Sequence, residues 1–310
     1  MQMAIEKKTL YLMGTQIQLW VEHDEKEDIL GQAEQTLIDY EQRFSANDKT
    51  SELMEITQQA GVAAVKVQDD LFELIQIGKE QSLIPNGYLN IAIGPLVQAW
   101  RIGFADAQYP SKEKIASCLA LIDPNDIHLN SETKEVYLAK AGMSIDLGAL
   151  AKGYFADKIV ALFKKKGASA GFINLGGNIL TFGEAPHHAD GYWRIGIQNP
   201  FLSRGNYVAT LLIKNQSVVT SGIYERTFEW QGKTYHHIFD SQTGFPVQSE
   251  LASLTIVSQE SLVGEIWTTR LFGTEATTII REVEATPGLE GIVITTDGRT
   301  ANTQGLTFRT

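Results

Sequence analysis

Three groups of residues in this chain have the types and spacing that chemistry requires. The first is Ser144-Ile145-Asp146-Leu147-Gly148-Ala149-Leu150-Ala151-Lys152-Gly153, with its continuation to Gly176-Gly177-Asn178. The second runs from Thr220-Ser221-Gly222 through Arg226 to His236, His237, Phe239, Asp240 and Thr243-Gly244. The third is Glu265-Ile266-Trp267-Thr268-Thr269. Small residues after Asp146 leave the first turn of an expected helix bare, so a ligand could come close to backbone there, and helix N-termini attract phosphate. Asp146 sets a negative charge beside the same end. A phosphate and a carboxylate share a site when a cation bridges them, or when the carboxylate accepts from a donor elsewhere on the ligand. A plain N-cap with packing glycines accounts for the same residues, and spacing alone leaves both readings open.

Glu265 and Thr269 are four apart and share a face if they lie on a helix. A carboxylate and a hydroxyl are hard oxygen donors of the kind Mg²⁺ takes, keeping waters and substrate phosphates as its other ligands. An exposed Glu beside a first-turn Thr has the same spacing. No His-x-x-x-His or Cys-x-x-Cys pair competes as a zinc site. His236 and His237 adjoin in an expected strand and therefore point to opposite faces, so one at most faces a given site. An isolated His is more often structural than catalytic, but near a phosphate-binding turn it becomes a plausible general base or phosphate donor. Neither a Walker loop nor a Gly-x-Gly-x-x-Gly fingerprint is present.

The elements that must position these groups follow from periodicity. Leu147, Ala151, Phe155, Ile159 and Leu162 recur at helical spacing, and Lys164-Lys165-Lys166-Gly167 is a helix stop. A strand is expected to end at Asp146 with the helix starting at once, and a second strand to end in Gly176-Gly177. Helices are predicted over 28–44, from Ser51, over 70–83, from Pro110-Ser111 to Leu121, and over 262–273. Residues 10–21 read as a strand with Met13-Gly14-Thr15 inside it. Residues 91–104, apolar and glycine-broken, are either a pocket wall or core. Hairpins are expected over 127–138 and 228–238, the latter turning at Gln231-Gly232. Strands are expected at 193–197, 207–213, 217–221 and 253–257, with 291–296 pairing 306–308 through Asp297-Gly298. Strands and helices intermix without strict βαβ alternation, which predicts an α+β fold of mixed and antiparallel sheets with packed helices.

Length and composition set the outer bounds. The 310 residues are ample for a large core, and 43% hydrophobic with 20% charged content is that of a soluble globular protein. A net charge of −11 with no basic block argues against nucleic acid as a partner. The single cysteine, Cys118, rules out an intrachain disulfide framework or thiolate metal site. No transmembrane segment is expected, and the opening residues lack the apolar run of a signal peptide, so the chain as written is expected to be cytoplasmic.

Taken in order, these segments resemble the ApbE flavin transferases, the FAD:protein FMN transferase family. The likeness runs through Met13-Gly14-Thr15, Arg43-Phe44-Ser45, Ser51-Glu52-Leu53, Gly94-Pro95-Leu96-Val97, Trp100 and Gly103-Phe104. It continues through the Asp146 segment, Asn174-Leu175-Gly176-Gly177-Asn178, Thr220-Ser221-Gly222, Tyr224-Glu225-Arg226, His237 to Asp240 and Thr243-Gly244. The resemblance implies one ApbE-like, T-fold-related domain over 1–310, any subdomain boundary falling near 180–215. It also implies a Mg²⁺-dependent transfer of the FMN half of FAD to a threonine or serine hydroxyl of an acceptor flavoprotein, a redox protein subunit, with release of AMP. Asp146 and Lys152 would contact FAD, as would Met13, Asn47, Trp100, Arg101, Ile102, Thr220, Ser221, Gly222 and Phe239. The metal would be held by the Ala149 carbonyl, the Glu265 and Thr269 side chains and the Thr268 backbone. With that chemistry implied, His237 becomes the candidate to orient or deprotonate the acceptor, and Asp240 its orienter. Two residues depart from the family pattern: Glu265 stands for the usual Asp, and Asn47 for a position that is often aromatic. Loss of that stacking surface leaves FAD hydrolysis to FMN and AMP as an alternative, and a non-catalytic flavin-binding protein as another.

Overall fold

The structure, a computed structural model, describes residues 4–24 and 27–309, so the opening Met1-Gln2-Met3 lies outside the described residues. The chain runs β1 (Ala4–Leu12), β2 (Thr15–His23), α1 (Ile29–Phe44), α2 (Glu52–Gln58), β3 (Val65–Lys66), α3 (Asp69–Ser82), α4 (Gly94–Trp100) and α5 (Lys112–Leu119). It goes on through β4 (Ile127–Asn130), β5 (Glu135–Leu138), α6 (Ala151–Lys165), β6 (Ala170–Leu175), β7 (Asn178–Phe182), β8 (Trp193–Gln198) and β9 (Tyr207–Ile213). The rest is β10 (Ser217–Gly222), β11 (Thr227–Trp230), β12 (Lys233–His236), β13 (Leu251–Ser258), α7 (Ser261–Leu271), α8 (Ala276–Glu284), β14 (Glu290–Thr295) and β15 (Thr300–Asn302).

Eight strands form the main sheet in the order β1-β2-β6-β7-β10-β13-β14-β15, every pairing antiparallel. Strands from both sides of residues 180–215 share it. One face carries helices: Leu37, Phe155 and Ile159 from α1 and α6 pack with Leu19 and Ile173, while Leu271, Ile279 and Val283 pack on Leu254 and Val293. The other face is closed by the β8–β9 hairpin, whose Ile195, Ile197, Leu211 and Ile213 lie on Val218, Val257 and Ile292. β13 is thus buried along its whole length, which is why its sequence is a continuous apolar run broken by Ser and Thr rather than an alternation. No described helix is long and apolar enough to cross a membrane.

The predicted α+β class and most elements are present, and four local expectations are corrected. Residues 10–21 are two strands, not one, because Met13 and Gly14 both take positive φ (55° and 68°) and turn the chain in a two-residue hairpin. No strand ends at Asp146, and α6 starts at Ala151, after a turn over 148–150. Asp146 is therefore no helix cap; its Oδ1 accepts from Gly148 N at 2.8 Å and rounds that turn. Finally, β14 pairs with β15, whereas Thr307 O and Arg309 N bond to Leu212 N and Thr210 O on β9. The tail closes the small sheet rather than the large one.

Candidate active site

The contact between α6 and α7 is unusually close, and Gly153 is the reason. A Cβ there would stand 2.7 Å from the Ser261 carbonyl oxygen and 2.8 Å from Glu265 Cγ and Leu262 Cα. Asp157, one turn on, caps α7 from the neighbouring helix: its carboxylate accepts from Ser261 N at 2.8 Å and Leu262 N at 2.9 Å. Two orphan amides of a helix start are thereby satisfied. Burial pushes the Asp157 carboxyl up to about 6, with the two backbone donors pulling the other way.

Placed by this contact, Glu265 is only 4% exposed. Its Oε1 accepts from Lys152 Nζ at 3.0 Å and from Asn178 Nδ2 at 2.9 Å. Asn178 is itself fixed, because its Oδ1 accepts from Ser261 Oγ at 2.5 Å. The carboxylate thus has a cation and an amide on one oxygen, as a buried charge must. Thr269, half-buried, follows one turn later on the same face, and Thr268 is fully buried with its hydroxyl on Glu265 O at 3.2 Å.

A second wall comes from the segments around Asp146, Arg226 and His237. Asp146 N donates to Ile91 O at 2.9 Å, which ties the turn to the 91–100 region. Burial raises the Asp146 carboxyl, while the Gly148 amide and the Arg226 charge work against it. Arg226 lies over Gly103, where a Cβ would be 2.8 Å from its Cδ. His237 Nδ1 is 3.4 Å from Arg226 O. Burial, then the Arg226 charge, lowers its pKa to about 4, and the Lys152 ammonium adds to the same effect. Lys152, bonded to Glu265, also acts electrostatically on His237, which links the two groups of residues.

A profile of the ApbE family matches residues 13–293. The chain belongs to the ApbE family. Among its relatives, the FAD:protein FMN transferase of Klebsiella pneumoniae is 42% identical over 84% of this chain and 80% of that protein. That of Treponema pallidum is 34% identical over 86% of this chain and 76% of its own length. Of solved structures, the ApbE protein of Thermotoga maritima (23% identical) shares the fold with a TM-score of 0.87 over 97% of both chains. The Pseudomonas stutzeri flavinyl transferase ApbE, also 23% identical, gives 0.82 over 99% of this chain and 95% of the other.

Against that family pattern the expected residues fall into two sets. Lys152 at the start of α6 meets Glu265 in the middle of α7, Asp146 and Ala149 lie in the segment just before α6, and Thr268 and Thr269 follow Glu265 on α7. Trp100 and Ile102 are buried, with the Trp100 indole N–H donating to Gly244 O at 3.0 Å and Phe239 packed beside it. They back the wall, and Arg101 is the member of the trio turned outward, stacked 4.2 Å over Phe104. Arg101 Nη1 also donates to Asn47 Oδ1 at 3.3 Å, and Met13 N to Glu41 Oε1 at 2.5 Å. Thr220 shares a 2.8 Å hydroxyl pair with Thr255 inside the sheet, and Ser221 and Gly222 end β10. The expected His237–Asp240 pair is not formed. Asp240 closes its own turn, accepting from Gln242 N at 2.8 Å and Thr243 Oγ1 at 3.1 Å. Of the supports of Glu265, Asn178 ends the motif already singled out from the sequence, though without this role, whereas Ser261 and Asp157 were not expected to support a site.

The donors around Glu265 suit a hard divalent ion that keeps other ligands. Among the described residues no group of three or more His, Cys, Asp or Glu side chains could hold a metal. An ion here would have one carboxylate, neutral hydroxyl and carbonyl oxygens, and open positions. That is the donor set of Mg²⁺ with substrate phosphate, and not of structural zinc.

The two shifted groups predict opposite pH effects on stability. His237 is depressed from 6.5 to about 4, so the unfolded chain protonates first and its neutral form costs stability as pH falls from 6.5 to 4. Asp157 is raised from 3.8 to about 6, so it contributes stability below 3.8 that is lost as pH rises through 6. In urea unfolding, the parent should therefore lose stability relative to His237→Ala on acidification through that window. Relative to Asp157→Asn it should gain.

Proposed function

We propose that this protein transfers the FMN half of FAD to a threonine or serine hydroxyl of an acceptor flavoprotein, releasing AMP, with Mg²⁺ held at Glu265. The observation that carries the reading is the buried Glu265 carboxylate paired with Lys152, in a chain of this family. Lys152 and Arg226 bring positive charge to the FAD diphosphate. Ala149 and Thr268 carbonyls with the Glu265 and Thr269 side chains would hold the ion, which when bound offsets charge on the diphosphate and the leaving AMP.

His237 serves as the base. With Nδ1 turned to the Arg226 carbonyl, that nitrogen carries the proton and Nε2 keeps its lone pair. A ring with its pKa at about 4 is neutral throughout the physiological range. The acceptor oxygen bonds to the FMN phosphorus, its proton goes to Nε2, and the bond to the AMP phosphate breaks. Asn47 favours a second reading, FAD hydrolysis, since its amide is tied to Arg101 and offers no ring for stacking.

Incubation with FAD and MgCl₂, with and without the acceptor of the Klebsiella pneumoniae relative, separates the two. Transfer gives AMP in equal amount to covalent flavin on the acceptor. Free FMN and AMP at a rate the acceptor does not change select hydrolysis, and tight FAD binding without AMP, indifferent to chelator, overturns both.

A further inference from the structure

We propose that Lys152 is an exchangeable counter-ion: it neutralises Glu265 until a divalent cation arrives, and is then released to the diphosphate of the substrate. The inference rests on the reading of Glu265 as a ligand of that cation.

Glu265 cannot be left without a positive partner, because its side chain is 5% exposed and an isolated buried carboxylate is very costly. Its two donors differ in kind. Asn178 is itself buried and held by Ser261, so its amide stays whether or not a cation is present. Lys152 is 35% exposed along its side chain, and its ammonium ends a flexible four-carbon stem that can swing. Ammonium and metal ion compete for one charge, since the carboxylate that pairs with the ammonium through Oε1 is the one a divalent ion would need. Two cations on one buried carboxylate repel each other, so binding of the ion favours release of the ammonium.

The ammonium has somewhere to go. Its charge already acts on His237, as that of Arg226 does, so a diphosphate bound near Arg226 would lie within its reach. Before the exchange Lys152 is committed to Glu265; after it, the same charge serves the phosphate. Cation and dinucleotide then bind as a coupled pair, each favouring the other by the same factor. A lysine that was simply a permanent structural partner of Glu265 would give no such coupling.

The test is Mg²⁺ titration of the full chain by calorimetry, without and with FAD, in the parent, Lys152→Met, Lys152→Gln and Glu265→Gln. Removing the competitor should tighten Mg²⁺ binding in the absence of FAD by about tenfold or more. Both neutral variants should melt below the parent in EDTA and recover with MgCl₂. FAD should strengthen Mg²⁺ binding in the parent more than in either. Equal or weaker Mg²⁺ binding in Lys152→Met and Lys152→Gln overturns the proposal. Should neither the parent with FAD nor either Lys152 variant bind Mg²⁺ better than Glu265→Gln, the metal reading itself fails. Glu265-dependent binding that appears only once Lys152 is neutral supports the exchange.

Discussion

Glu265→Gln should lower the rate of FMN transfer at saturating Mg²⁺ by about a thousandfold and leave the fold standing, the scale seen when one preorganised charge-stabilising group is lost from an active site. Glutamine keeps the volume and the oxygen that accepts from Asn178 Nδ2, so the Asn178–Ser261 link survives. What it removes is the charge, the only carboxylate among the four atoms expected to hold the ion. Lys152 loses its partner as well, but at 35% side-chain exposure it can turn to water. The change should therefore be small in melting temperature and large in AMP released per second. Glu265→Asp separates reach from charge. It supplies the shorter acid that the family resemblance leads one to expect at this position, at the cost of the contact with Lys152. It should keep activity within about tenfold of the parent, a modest displacement of a ligand still of the right kind. If Glu265→Gln transfers flavin at the parent's rate, the ion does not bind there.

How far the sequence discloses this site depends on which interactions are local. The α6 stripe, its stop at Lys164 to Gly167 and the turn at Gly176-Gly177 all follow from spacing, because each is decided within a few residues. The shared face of Glu265 and Thr269 follows in the same way. α8 escaped notice: Ala276-Thr277-Thr278-Ile279-Ile280 is rich in β-branched residues that read as strand. Its helix is decided by burying Ile279 and Val283 one turn apart on β13 and β14. The partner of residues 306–308 was equally hidden, since a bond to β9 spans nearly a hundred positions and a nearer strand offered a simpler pairing. Asp146 and Asp240 both misled for one reason. An Asp beside small residues fits a cap, a catalytic partner and an Asx turn alike, and only the donors that reach it decide. Trp100 shows the converse: a large aromatic at an expected ligand wall is drawn inward because Gly244 O satisfies its indole N–H.

Gly153→Ala carries the second large effect, and here two principles pull in opposite directions. Alanine inside a helix is favoured over glycine by about 1 kcal/mol, so α6 taken alone would gain. The new methyl, however, meets backbone at 2.7 Å and 2.8 Å on α7, together with Glu265 Cγ. Backbone cannot rotate out of the way as a side-chain tip can. Nor can α7 retreat, because Gly264 on its far side already lies against Val219 of β10, where a Cβ would be 2.6 Å from Cγ2. Overpacking of this kind costs about 1–3 kcal/mol, enough to outweigh the helix gain and lower the melting temperature. The displacement falls on the line joining Lys152 to Glu265, so the Mg²⁺ concentration needed for half-maximal transfer should rise together with the loss of stability. His237, whose ring faces the Arg226 carbonyl rather than α7, should keep its pH behaviour. A variant that melts higher than the parent, as helix propensity alone would have it, would mean that α6 and α7 are not wedged, and that Glu265 is not held in place by the absence of a side chain at Gly153.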